Sequence, residues 1–151
     1  VIVRAVRRDD VPALAAIAER SYRAAFANIL EENVLSSRDA AFFAARFGSS
    51  WERMLVVCSD GTPIGFLLMT DGHIDMLFMD PHTGGQGGGA LLLKQAEALG
   101  ARSLECFRDN QGARRFYERH GWRAARAYER EFAGCARSFV FYVKEQKETA
   151  C

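Results

Sequence analysis

Apolar positions along this chain change period several times, and each change marks a new element. Val1–Val6 alternates β-branched residues with Arg4 and reads as a strand. Asp9 or Asp10 can then cap a helix with Pro12 in its first turn, where a missing N–H costs least. Leu14, Ile17, Ala18, Tyr22 and Phe26 follow at helical spacing. A second helix is expected over about Ser37–Phe47, capped by Ser37 or Asp39, with Phe42, Phe43 and Phe47 on its apolar face. The period then falls to that of strands. Met54–Cys58, Ile64–Thr70 and His73–Met79 are separated by Ser59-Asp60-Gly61-Thr62 and Asp71-Gly72, turns short enough to force antiparallel neighbours. Pro81 closes this meander, because proline removes a ladder donor. Leu91, Leu92, Gln95, Ala96 and Leu99 form a helix stopped by Gly100, and Ser103–Phe107 is a strand. Asn110–His120 is a helix stopped by Gly121, and Trp122–Phe132 and Arg137–Lys144 form a hairpin about Ala133-Gly134. One domain is expected over residues 1–146, followed by a polar tail at 147–151.

Between the meander and its following helix lies Gly84-Gly85-Gln86-Gly87-Gly88-Gly89-Ala90. Glycine loses more backbone entropy on folding than any other residue, so such a run needs a reason. Consecutive N–H groups at a helix N-terminus, aided by the positive end of the helix dipole, make an anion site suited to a pyrophosphate. A Walker loop is excluded, since no Gly-Lys-Ser/Thr follows. A dinucleotide fingerprint is a closer rival: Gly85-x-Gly87-x-x-Ala90 fits its spacing and Glu105 lies 20 residues after Gly85. The antiparallel meander ahead of the loop argues against it, as does the small number of βαβ units left to build a doubly wound sheet.

From Asn110 the chain reads Asn-Gln-Gly-Ala-Arg-Arg-Phe-Tyr-Glu-Arg-His-Gly-Trp. Read alone, Ala113, Phe116 and Tyr117 share a helix face and Tyr117 is an amphipathic core residue. Together the two motifs resemble those of the GNAT superfamily of N-acetyltransferases, and the order of elements resembles that family throughout. The likeness is strongest from Ile74 to Trp122. It rests on Met79-Asp80-Pro81 with Gly85-x-Gly87-x-Gly89-x-x-Leu92-Leu93, and on Asn110-x-x-Ala113-x-x-Phe116-Tyr117-x-x-x-Gly121-Trp122. The resemblance implies an α/β (α+β) fold: a single domain with a central mixed, mostly antiparallel sheet of about seven strands and about four helices. It implies acetyl-CoA as co-substrate and direct acetyl transfer to a primary amine of a small molecule or peptide.

Carried onto this chain, the resemblance gives the backbone of Leu77, Phe78 and Met79 to the pantetheine arm. The amides of Gly85, Gln86, Gly87, Gly88, Gly89 and Ala90 fall to the pyrophosphate, and Asn110 and Ala113 to the cofactor's flank. Tyr117 is placed at the thiol sulfur as general acid. Gly84 stands where the family usually has Arg or Gln, which removes a phosphate contact and leaves the amides intact. Amide formation also needs a neutral amine, whose pKa is otherwise near ~10.4, so a base or water chain is required. Glu105 and Asp75 compete for that role. Glu105 is the position of the base in the branch that acetylates ribosomal-protein N-termini, whereas Asp75 sits mid-strand in an apolar setting from which it can equally pair with an Arg or His73. Tyr22, Phe26, Phe42, Phe43 and Trp51 lie where family members form the acceptor wall, and most read as core.

Composition narrows the classes. The 151 residues are 49% hydrophobic and 26% charged, which fits one globular domain. A formal charge of +1 gives no broad footprint for nucleic acid or an anionic membrane. Cys58, Cys106, Cys135 and Cys151 form no CxxC pair or metal-ligand spacing, so no metal is expected and reduced thiols in the cytoplasm are. No apolar run reaches membrane-span length and no signal-peptide pattern opens the chain. The C-terminal hairpin offers an edge for pairing in a homodimer. Two other readings remain beside the enzyme: a module that senses acyl-CoA without turnover, and the dinucleotide binder.

Overall fold

The computed structural model describes residues 1–84 and 86–145. Gly85 and the predicted tail at 147–151 lie outside the described residues. Seven strands, β1 (Ile2–Ala5), β2 (Met54–Ser59), β3 (Thr62–Thr70), β4 (His73–Met79), β5 (Ser103–Phe107), β6 (Arg123–Phe132) and β7 (Cys135–Val143), form one sheet in the order β1-β2-β3-β4-β5-β7-β6. Every pairing is antiparallel except β4 with β5. Helices α1 (Val11–Phe26), α2 (Glu32–Ser37) and α3 (Ala40–Gly48) precede the meander. Helix α4 (Gly88–Ala98) joins β4 to β5, and α5 (Gln111–Arg119) joins β5 to β6.

The sheet separates two cores, as the period-2 alternation of strand side chains requires. Val56, Phe66, Leu68 and Phe107 face Leu14, Phe26, Phe43 and Phe47 of α1 and α3. Val57, Leu67, Leu104 and Tyr142 face Leu92, Leu93 and Ala96 of α4, together with Tyr117 of α5 and Trp122. Hydrogen bonds tie α5 to β7 and α4 to the loop after α5. The Tyr142 hydroxyl donates to Glu118 and accepts from Arg114 Nε at 3.1 Å, and Trp122 Nε1 donates to Glu97 at 3.0 Å. Among the described residues no helix is long and apolar enough to cross a membrane.

The helix expected over about Ser37–Phe47 is α3, and of its two candidate caps Asp39 serves, its extended backbone leaving the side chain to accept from the Phe42 amide at 2.9 Å. Three other local features differ from expectation, the first being α2, which ends where Arg38 takes ψ 58°. Helix α2 was not foreseen, although Leu30, Val34 and Leu35 bury one side of that segment. Asp10 precedes α1 without capping it, since its carboxylate grips the Arg4 guanidinium at 2.8 and 2.9 Å and the Arg7 amide at 2.7 Å. Finally, the glycine loop does open one βαβ unit, β4-α4-β5, which is the sheet's one parallel pair. A single pair of that kind is no doubly wound sheet, so the dinucleotide-binding architecture is absent.

Candidate active site

The site begins as a failure of two strands to stay together. β4 and β5 pair only at His73–Ser103 and Ile74–Leu104, then part while each runs on. The cause lies in β4 itself. Leu68 pairs with Met76 and Met69 with Ile74, so Asp75 is an extra residue with no partner on β3. Such a bulge bends its strand and re-aims the side chain it carries. From Asp75 to Met79, the main-chain groups of β4 that point toward β5 face a gap instead of a ladder. A cavity of about 380 Å³ fills it.

The cavity brings together Asp75, Leu77, Phe78, Glu105, Asn110, Ala113 and Tyr117, all picked out by the sequence. Met79 and residues Gln86–Ala90 are not in its wall. They stand where β4 ends and α4 begins, so the free edge of β4 leads from one to the other. Gly87 precedes α4 with φ +77°, a left-handed backbone that other residues adopt only under strain. Gly88 allows close approach: a Cβ there would lie 2.6 Å from Met79 Cε and 3.3 Å from a Val57 methyl. The first turn of α4 carries no acidic side chain, so its unpaired amides and dipole are unopposed toward an anion. Gln86 differs from its neighbours. Its amide bonds the Gly84 carbonyl at 3.1 Å, and its side chain is held by the Ser59 hydroxyl and the Thr83 carbonyl. Asp80, quoted in the sequence only as part of the loop motif, fixes the strand end: it is 7% exposed, takes a two-pronged bond from Arg20 and accepts from the His82 amide.

Tyr117 and Glu105 approach the cavity from opposite faces. Tyr117 belongs to the core under α4, and burial pushes its phenol far above the ordinary tyrosine range. Its ring lies 5.3 Å from that of Phe116, 6.2 Å from Trp122 and 6.1 Å from Tyr142, while its hydroxyl has no hydrogen-bond partner among the described residues. Cys106, also in the cavity wall, is pushed up to about 11 by burial and stays a thiol. Glu105 points the other way, beside Tyr128 and Arg130 of β6. Burial alone would raise its carboxyl, but the Arg130 guanidinium at 2.5–3.1 Å and the Tyr128 hydroxyl outweigh that and hold it below the usual range. Tyr128 is in turn pushed up to about 12, by burial and then by Glu105. Asp75 is exposed and accepts from the Thr70 hydroxyl at 2.7 Å. Asn110 caps α5, with its Oδ1 accepting from the Ala113 amide at 3.2 Å. The sequence missed Arg130 and Tyr128. Across β7, Glu105 stands in register with Phe141 and Arg126, and Tyr128 and Arg130, two and four residues further along β6, reach back to it.

Among the described residues no group of three or more His, Cys, Asp or Glu side chains is arranged to hold a metal ion. Comparison with known proteins gives the family. A peptidyl-lysine N-acetyltransferase, YjaB of Salmonella typhimurium, is 34% identical over 70 residues, 46% of this chain and 48% of that protein, so the match spans about half the length of the relative. The crystal structure of a GCN5-related N-acetyltransferase from Rhodopseudomonas palustris superposes with TM-score 0.74 at 27% identity, covering 96% of this chain and 95% of that one. The PaiA N-acetyltransferase of Thermoplasma acidophilum, in complex with coenzyme A, shares the fold with TM-score 0.75 at 20% identity, over 95% and 98% of the two chains. The pattern of the acetyltransferase (GNAT) family matches residues 12–122, and the chain belongs to that family.

Proposed function

We propose that this protein transfers an acetyl group directly from acetyl-CoA to a primary amine. The observation that carries the reading is the parted β4–β5 edge, which runs from the bare amides of Gly87–Ala90 to a cavity walled by Tyr117 and Glu105. In this account the α4 amides hold the pyrophosphate, and the free edge at Leu77–Met79 pairs with the pantetheine arm. A backbone N–H of that edge then stabilises the oxyanion of the tetrahedral intermediate.

The two side chains divide the proton traffic by their environments. Glu105, kept ionised by Arg130 and Tyr128, receives the proton that the attacking ammonium must lose, directly or through a water. Tyr117 stays protonated and donates a hydrogen bond to the sulfur as the carbon–sulfur bond breaks, and the departing thiolate takes up the second proton that the nitrogen sheds as the amide forms. The conjugate acid of a thiolate has a pKa near ~8.5, so complete transfer from so weak an acid as this phenol is uphill; the phenol acts chiefly by stabilising the departing charge. Asp75, turned out by the bulge and held by Thr70, is the lesser candidate for base.

Thiol release from acetyl-CoA in the presence of a panel of amines tests the reading. An amine-dependent release that falls on Tyr117→Phe supports it, and the absence of any acceptor over a broad panel removes it. The pairing of Glu105 with Arg130 favours one rival, a module that binds acyl-CoA without turnover. Calorimetric coenzyme A binding with no transfer to any amine would select that rival.

A further inference from the structure

The end of the cavity farthest in sequence from the glycine loop, built by α1 and the α2–α3 junction, holds a feature that acetyl transfer alone does not explain. Tyr22 is 8% exposed and packed at 4.7–6.2 Å from the rings of Phe26, Phe43 and Phe78. Its hydroxyl lines the fully buried interior without a hydrogen-bond partner. Buried polar atoms are nearly always paired, and one left unpaired inside a cavity is suited to something the cavity receives. The Arg38 guanidinium lies beside that hydroxyl, close enough to stabilise its ionised form though short of a well-formed hydrogen bond, and the charges of Arg137 and Arg46 act in the same sense. Arg137 is neutralised by Glu31 at 2.8 Å. Arg38 and Arg46 make no ion pair among the described residues, yet both line the cavity.

Arg38 is also held in place. Its guanidinium sits 4.5 Å from the ring centre of Phe42 and 5.9 Å from that of Phe132, which orients the planar fork beside the Tyr22 hydroxyl and leaves it without a carboxylate partner among the described residues. The carboxylates that face the cavity are already engaged, Glu105 by Arg130 and Asp75 by Thr70. Two uncompensated positive charges beside an orphan hydroxyl therefore describe an anion site at the acceptor end.

Resting on the acetyltransferase reading, we infer that the acceptor is an amine that carries a carboxylate, seated on Arg38, Arg46 and the Tyr22 hydroxyl while its amino group reaches toward Glu105. Charge-assisted bonds to a pre-oriented fork select such a molecule over a neutral amine, and a second cationic group on the acceptor is repelled.

The test compares kcat/KM for matched acceptors: glycine, β-alanine, 4-aminobutyrate and 6-aminohexanoate against alkylamines of equal chain length and 1,4-diaminobutane. A second arm pairs tripeptides with and without an acidic side chain, which tells a free amino carboxylate from one carried on a peptide. A preference of ~10–100-fold for the carboxylate in either arm is expected, lost in Arg38→Gln with the KM for acetyl-CoA unchanged. Equal use of neutral amines in both arms overturns the inference and leaves acetyl transfer intact. Glutarate, an anion with no amine to acetylate, probes the site independently of turnover: it should bind the wild type and lose ~10-fold or more in Arg38→Gln and in Tyr22→Phe. Because the Tyr22 hydroxyl has no partner, Tyr22→Phe should keep or raise the melting temperature. A fall in melting temperature, or glutarate binding indifferent to both substitutions, would show the cluster to be structural.

Discussion

Replacing Tyr117 by Phe isolates one oxygen atom. The ring would keep its packing against Phe116, Trp122 and Tyr142, and no hydrogen bond among the described residues would be lost. Folding stability should therefore change by no more than about 0.5 kcal/mol, the usual scale for a substitution that breaks no contact. Catalysis should respond differently. A positioned hydrogen-bond donor aimed at developing charge contributes ~10²–10³-fold, which is about 2.7–4 kcal/mol of barrier at 1.36 kcal/mol per decade. The phenol is held protonated by burial, so this loss should be constant from pH 6 to 9 and not appear as a shifted limb. Continuous thiol release gives kcat and KM, and a thermal melt of the same preparation gives stability. Expected is a fall in kcat of at least ~100-fold with acetyl-CoA KM within ~3-fold. A variant that turns over within twofold of the wild type, with an unchanged melt, would refute the assignment of Tyr117 to the sulfur.

Three further outcomes follow from other parts of the structure. Arg130→Gln removes the cation that most offsets the burial of Glu105, so the carboxyl pKa rises and the acid limb of kcat/KM should move to higher pH; an unmoved limb would take Glu105 out of the proton path. Gly88→Ala pushes a methyl toward Met79 and Val57 and should cost about 1 kcal/mol of stability, while lifting the first turn of α4 enough to weaken coenzyme A ~10-fold by calorimetry. Asp10, lowered from 3.8 to about 2 chiefly by its bonds to Arg4, contributes stability that is fully present above its unfolded pKa and is lost as pH falls through 2. Asp10→Asn should thus cost ~1–2 kcal/mol in urea at pH 6 and nearly nothing near pH 2.

What could be read from the chain was whatever local chemistry dictates. Gly87 and Gly88 are needed by a left-handed turn and a tight strand–helix contact, so the loop announced itself. The Asp71-Gly72 and Ala133-Gly134 turns fixed two hairpins, and both Asp71 and Ala133 take positive φ. What depended on register was not legible. The extra residue at Asp75 splits β4 from β5, and nothing in Ile-Asp-Met-Leu-Phe announces it. Arg130 lies 25 residues from Glu105 and meets it only across β7. Tyr22 was read with its aromatic neighbours as core, and so it is by burial; its buried hydroxyl beside an Arg38 with no carboxylate partner among the described residues needed three dimensions. Helix α2 escaped because its six residues bury only Val34 and Leu35, too short a run to show a helical period.

The central claim is that bare amides at the start of α4 receive a diphosphate while the same ligand reaches Tyr117 along the open edge of β4. Titrating coenzyme A into ¹⁵N-labelled protein and following each backbone amide tests it most directly. The account predicts the largest shifts at Gly87, Gly88, Gly89 and Ala90, with a second set at Leu77, Phe78, Asn110 and Tyr117, all saturating at one ligand concentration. Saturation with those amides unmoved, or with shifts gathered on the far side of the sheet along β1 and β2, would contradict it.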